Sequence, residues 1–247
     1  MVMKLTVLTC AVFASEAEAR NKLWIFLRSC EKFKIEPVLF GSGRIFPGYR
    51  VMGCEWLLEA LKVMPSDITH VLFSDSWDAF FLSDLDEIMD KYRRIGSPPI
   101  LVSAYIGLGN ESDMSKYKGC FDESIPYRYP NRGGWIAEVP AMIDALEKMI
   151  ATGDQTGDEC FLWYRGWREG WFRPALDSHC EIFQVSTENM EMMPKVIIDI
   201  NHGRTLRVQN RVTGSFPSIL HLSGGYSDPQ TGKDERMKPF AKALEIL

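Results

Sequence analysis

Val71-Leu72-Phe73-Ser74-Asp75-Ser76-Trp77-Asp78-Ala79-Phe80-Phe81 places two carboxylates, three residues apart, directly after a continuous apolar run. Such a run reads as a strand buried on both faces, as in a parallel sheet. Ligands of open α/β sheets bind beyond the carboxyl ends of their strands. Asp75 and Asp78 stand at that place, with apolar residues on both sides. Two such carboxylates suit a hard divalent cation, Mg²⁺ or Mn²⁺, shared with substrate phosphates. The competing reading is a turn whose aspartates cap the next helix.

Outward from this stretch the first half of the chain alternates strand and helix. Lys4–Val12, Glu36–Phe40, His70–Phe73 and Ile100–Ser103 read as strands. Ser15–Phe33, Cys54–Met64 and Leu85–Arg93 read as helices. This order predicts an α/β fold with a mostly parallel central sheet flanked by helices and right-handed crossovers. From Gly107 to Arg132 glycines and prolines predict a long loop. Gly133–Val139 follows as a strand, then a helix opened by Pro140 and another over Asp158–Trp167. Short strands are expected at Ile182–Val185, Val196–Asp199, Thr205–Val208 and Ser218–Leu222, and a helix over Glu235–Leu247. No repeat or linker divides the chain, so one domain over 1–247 is expected. Its first part would cover about 1–105 and its second about 106–247.

The chain has 247 residues, 46% of them hydrophobic and 25% charged, and a net charge of −5. These are globular proportions. The acidic balance argues against nucleic-acid binding by bulk charge, without excluding a local basic groove. Arg128, Arg132, Arg165, Arg168 and Arg173 would supply one. The six cysteines form no C-x-x-C pair, which argues against a thiolate zinc site. No apolar run is long enough to span a membrane. Met1–Ala19 mimics a secretion signal. Ser15 and Glu18, however, form an S-x-x-E capping box, and Leu23, Phe26, Leu27 and Cys30 continue a helical face. The first strand and first helix are therefore expected there, in a cytoplasmic protein with reduced thiols.

Three further motifs fit a ligand site. His221 ends an apolar strand and precedes Ser223-Gly224-Gly225, where glycines let a backbone approach a diphosphate; the alternative is a core histidine. Asn131-Arg132-Gly133-Gly134-Trp135-Ile136 fits a backbone passing close to a ligand, or a plain turn. Asp158 and Glu159 open an apolar helix, which suits the helix dipole alone or a base or hydroxyl ligand. Trp163, Trp167 and Trp171 recur every four residues, as core packing or as a stacking platform.

At these residues the chain resembles the glycosyltransferase domain of the procollagen lysyl hydroxylases and, more distantly, the hydroxylysine galactosyltransferases. Asp75-Ser76-Trp77-Asp78 stands where the family has aspartate, serine, aromatic, aspartate. Asn131-Arg132-Gly133-Gly134-Trp135-Ile136 stands for its Asn-Ser-Gly-Gly-Phe-Ile. Asp158-Glu159-Cys160-Phe161 falls at its Asp-Gln-Leu-Phe and His221-Leu222-Ser223-Gly224 at its His-Gly-Asn-Gly. Leu8-Thr9-Cys10-Ala11 in the opening strand is also similar. The resemblance implies a GT-A fold with a Rossmann-like nucleotide-binding half. It also implies metal-dependent transfer of a hexose, glucose or galactose, from a UDP-sugar to a hydroxyl.

Asp75, Asp78 and His221 would then hold Mn²⁺ or Mg²⁺. Thr9, Trp77, Arg50 and Gly224 would contact the nucleotide. Asn131, Gly133, Gly134 and Tyr105 would line the sugar or acceptor, and Asp158 or Glu159 would serve catalysis. The acceptor would be hydroxylysine-like in protein or a hydroxymethylated pyrimidine in DNA, with no membrane and no obligate protein partner. A non-catalytic nucleotide-sugar or glycan-binding module is the alternative. A metal-dependent phosphohydrolase is a weaker third reading.

Overall fold

The computed structural model describes residues 3–45, 47–48, 51–106, 119–153, 159–186, 196–199, 207–223, 237–242 and 245. Its centre is a six-stranded sheet in the order β2-β1-β3-β6-β5-β7. The strands are β1 (Leu5–Cys10), β2 (Pro37–Phe40), β3 (His70–Ser74), β5 (Ile100–Tyr105), β6 (Tyr129–Glu138) and β7 (Ala175–Asp177). β2, β1 and β3 pair in parallel, as do β5 and β7, while β6 runs antiparallel to both β3 and β5. The sheet is thus mostly parallel with one reversed strand inserted in its middle.

The continuous apolar runs follow from burial on both faces. Val71, Val102 and Trp135 point into one core cluster with Leu57, Met142, Leu146 and Trp163. Their neighbours Leu72, Leu101 and Ile136 point into the opposite cluster with Phe26, Phe81, Ile88 and Phe183. Phe73 and Trp135, paired across β3 and β6, stack with centroids 5.3 Å apart.

The helices are α1 (Glu16–Lys22), α2 (Trp24–Lys32), α3 (Leu57–Lys62), α4 (Leu85–Arg94), α5 (Val139–Ala151) and α6 (Glu159–Glu169). The expected capping box is present: the Glu18 N–H donates to Ser15 Oγ, and Glu18 Oε2 accepts from the Ala14 N–H. The single expected helix over Ser15–Phe33 is divided, because Leu23 leaves helical geometry at φ −103°, ψ 20°. Cys54–Met64 likewise begins as a π-helical turn, Val51–Trp56, before α3. Val139–Ala151 carries its proline in the first turn, where the missing N–H costs nothing.

Two strands are additional to the sequence expectation: β7 and β4 (Ala79–Phe81). β4 joins β8 (Phe183–Ser186) and β11 (Ile219–Leu222) in a second sheet, ordered β4-β11-β8. β9 (Val196–Asp199) and β10 (Arg207–Asn210) form a separate antiparallel pair. Tyr129–Arg132, expected as loop, belongs to β6. Of the expected C-terminal helix, 237–242 is helical and most of the remainder lies outside the described residues. No helix among the described residues is long and apolar enough to cross a membrane.

Asp177 links the two sheets. Its buried carboxylate accepts N–H bonds from Glu181, Ile182 and Phe183 at 2.8–2.9 Å, which fixes the entry to β8. Removing it orphans three donors, two of them in buried bonds. Asp177→Ala is expected to cost about 3 kcal/mol of stability, read as a lower urea midpoint at unchanged slope.

Candidate metal centre

The register of β4 and β11 brings residues from distant parts of the chain together. These strands pair antiparallel with His221 opposite Ala79, and the Leu222 N–H donates to the Asp78 carbonyl at 2.8 Å. The His221 ring therefore lies beside the Asp78 side chain, Nε2 to Oδ1 3.0 Å. Asp75 is tied in from the other sheet: its N–H donates to the Gly133 carbonyl at 2.7 Å. Its carboxylate accepts the Trp77 N–H at 3.2 Å, the hydrogen bond of an Asx turn. One ligating atom from each of Asp75, Asp78 and His221 lies within 4.8 Å of the others.

The glycines of β6 make this approach possible. A Cβ on Gly133 would stand 2.2 Å from His221 Cε1 and 2.7 Å from Nδ1. A Cβ on Gly134 would meet the Phe183 ring at 2.7 Å. Neither residue marks a turn; both lie inside β6, packed against β11 and β8. Asn131 Oδ1 accepts the Gly133 N–H at 2.9 Å, and the Asn131 carbonyl accepts from Ser103 Oγ at 2.7 Å. Asn131 and Gly133 thus build the wall of the cluster, and Gly134 packs on Phe183 behind it.

Charge is concentrated here. Burial and then the Asp78 carboxylate push Asp75 above the ordinary aspartate value, against the opposing pull of His221, the Trp77 N–H and Arg132. For His221, burial acts downward. The Asp78 charge and hydrogen bond, with Asp75, outweigh it and raise the imidazole above its usual value. His221 Nδ1 is buried and has no hydrogen-bond partner among the described residues. Two carboxylates and an imidazole form a donor set that Mn²⁺ accepts and Mg²⁺ tolerates. A divalent cation would offset both the burial and the carboxylate repulsion that lift Asp75, so the residues fit such an ion.

Protons compete for these ligands. The lifted His221 and Asp75 hold protons at higher pH than free side chains do, and a cation must displace them. Mn²⁺ affinity is therefore expected to rise with pH up to and beyond the ordinary imidazole range, by about tenfold per unit for each proton displaced. Calorimetry in buffers of different ionisation enthalpy would count those protons.

The other expected contact residues are placed as follows. Thr9 is buried in β1, and its hydroxyl donates to the Ser74 carbonyl at 2.7 Å, tying β1 to β3 just before Asp75. Trp77 is half-buried and stacks on Phe13 at 5.2 Å beside the cluster. Tyr105 ends β5 opposite Tyr129 of β6. Arg50, Asp158 and Gly224 lie outside the described residues, as does the side chain of Glu159. Trp163 is a core residue, edge-on to Phe172 at 5.1 Å, while half-buried Trp167 meets Phe121 at 4.7 Å.

Residues 2–228 match the family model of the PLOD GT domain. The chain belongs to the PLOD GT domain family. It is 25% identical over 233 residues to procollagen-lysine,2-oxoglutarate 5-dioxygenase 1 of Bos taurus. That alignment covers 89% of this chain and 30% of the bovine protein, so this chain spans about a third of its relative's length. Among solved structures it resembles a glycosyltransferase involved in glycosylation of the major capsid of PBCV-1. The TM-score is 0.54 at 12% identity, covering 96% of this chain and 99% of the other. At that identity the likeness shows the fold, which is GT-A. For a PLOD GT domain, the Asp75–Asp78–His221 cluster is a possible divalent-metal site at the expected edge of the sheet.

Proposed function

We propose that the protein is a metal-dependent hexosyltransferase that moves glucose or galactose from a UDP-sugar to a hydroxyl acceptor. The observation that carries this reading is the convergence of Asp75, Asp78 and His221 beyond the carboxyl end of β3, in a chain of a glycosyltransferase family. A cation held there, Mn²⁺ or Mg²⁺, supplies Lewis-acid neutralisation of the diphosphate oxygens. The remaining work falls to the chain. Gly133 lets the His221 ring sit against β6 beside the aspartates. Trp77, Arg50 and Gly224 are the candidate nucleotide contacts, and buried Thr9 acts through its bond to the Ser74 carbonyl in front of Asp75. Tyr105 and Asn131 line the sugar or acceptor.

In the reaction the bond from the anomeric carbon to the diphosphate oxygen breaks, and its electron pair leaves on that oxygen. The acceptor oxygen bonds to the anomeric carbon and gives up its proton to a base. Asp158 or Glu159 is the candidate base. The whole chain would act as one domain, with the nucleotide on its first part and the acceptor on its second.

The test is transfer of labelled sugar from UDP-glucose and UDP-galactose, with Mn²⁺ or Mg²⁺, to a hydroxylysine peptide and to hydroxymethylated DNA. Label on either acceptor supports the reading and identifies the acceptor. Tight UDP binding with no transfer and no UDP release would favour a non-catalytic nucleotide-sugar module instead.

A further inference from the structure

β6 does not run straight past the metal cluster. Val102 of β5 pairs with Trp135, yet the next residue, Ser103, pairs with Asn131. Arg132, Gly133 and Gly134 are therefore extra residues on the β6 side, a bulge. Bulges beside binding sites re-aim side chains. This one is clamped on its other edge, where Ser74 pairs with Gly134 and the Asp75 N–H bonds the Gly133 carbonyl. Gly133 faces the His221 ring. Arg132 is the long side chain of the bulge, and it is half-buried.

Charge balance gives this position a use. Two carboxylates and a divalent cation sum to zero, so the filled cluster offers the diphosphate coordination at the ion but little net positive charge. The leaving diphosphate gains further negative charge as the sugar departs. A second cation beside the cluster would offset that added charge. A planar guanidinium matches phosphate oxygens with two parallel hydrogen bonds. Arg132 directly precedes Gly133, whose carbonyl accepts the Asp75 N–H at 2.7 Å and whose Cα abuts the His221 ring, so the arginine stands at the margin of the cluster.

We propose that Arg132, re-aimed by the β6 bulge, binds the diphosphate of the nucleotide donor beside the metal cluster and stabilises it as it leaves. The proposal rests on the nucleotide-sugar reading above and adds a donor ligand on the chain itself. No proton moves to or from the guanidinium; it donates hydrogen bonds to the oxygens that receive the electron pair.

The role predicts effects of opposite sign, which damage to the fold would not produce. Calorimetry on the full chain compares wild type with Arg132→Ser and Arg132→Lys. With Mn²⁺ alone, Arg132→Ser should bind the ion about threefold more tightly, because a repelling charge is gone. With Mn²⁺ saturating, it should bind UDP about tenfold more weakly. Uridine affinity should not change, and Arg132→Lys should recover part of the UDP loss. Unchanged UDP affinity, or equal losses for UDP and uridine, would overturn the assignment while leaving the nucleotide site standing. Wild-type protein that binds no UDP with Mn²⁺ would remove the nucleotide-sugar reading and the assignment with it.

Discussion

Gly133→Ala is expected to disable the metal site. The added Cβ would overlap the His221 ring, at 2.2 Å from Cε1 and 2.7 Å from Nδ1. The far end of a flexible side chain could swing away, but His221 is held on β11 between β4 and β8. The ring must leave its place beside Asp78, or β6 must withdraw from β11. Either movement displaces a ligand. Losing the support of a ligand costs about 10- to 100-fold in metal affinity, and overpacking adds about 1–3 kcal/mol of instability. Gly134→Ala is the matched control. Its Cβ would meet Phe183 at 2.7 Å, in the core and away from the ligands. It should lose comparable stability and retain far more Mn²⁺ affinity. Calorimetry with Mn²⁺ and urea titration on both variants separate the two effects; equal losses of metal affinity would contradict the geometry.

Asp75→Ala and Asp78→Ala are expected to abolish metal-dependent sugar transfer without unfolding the protein. Loss of one preorganised electrostatic contact with the transition state typically costs about 10²–10³ in rate. Each aspartate would also remove a ligand that keeps the cation in place. The effects on stability should differ. Asp75 is lifted by burial and then by Asp78, so the two carboxylates repel when no cation is bound, and metal-free Asp75→Ala should melt no lower than the wild type. Asp78→Ala also strips the buried His221 of its partner at 3.0 Å and should melt somewhat lower. An activity assay beside a thermal melt without metal reads both. A variant with full activity would sink the metal assignment.

The sequence was informative wherever burial on both faces left a continuous apolar run. β3, with Val71-Leu72-Phe73, and β5, with Ile100-Leu101-Val102, carry such runs, and the first of them sets Asp75 at a carboxyl-terminal edge. It was uninformative where tertiary pairing acts on few residues. β4 and β7 have three residues each, too few for a period, and they exist because β11 and β5 pair with them. Pro130 concealed the first part of β6, since proline argues against an interior strand position. The irregular pairing after Val102 follows directly on Ser103–Asn131, close to that proline. Gly133 and Gly134 could be read as a close approach, but not as an approach to His221 and Phe183. The union of Asp78 with His221 was suggested by family resemblance. Its physical cause, the antiparallel pairing of β4 with β11, leaves no local signal in either segment. Arg132 drew attention only as one of several arginines, because a bulge is a property of two strands together.

The most direct test is a crystal of the protein grown with UDP and Mn²⁺, with anomalous data collected at the manganese edge. The account predicts one strong anomalous peak coordinated by Asp75, Asp78 and His221, with the diphosphate on its open side. A peak away from these three side chains, or a diphosphate bound where they cannot reach the ion, would contradict it.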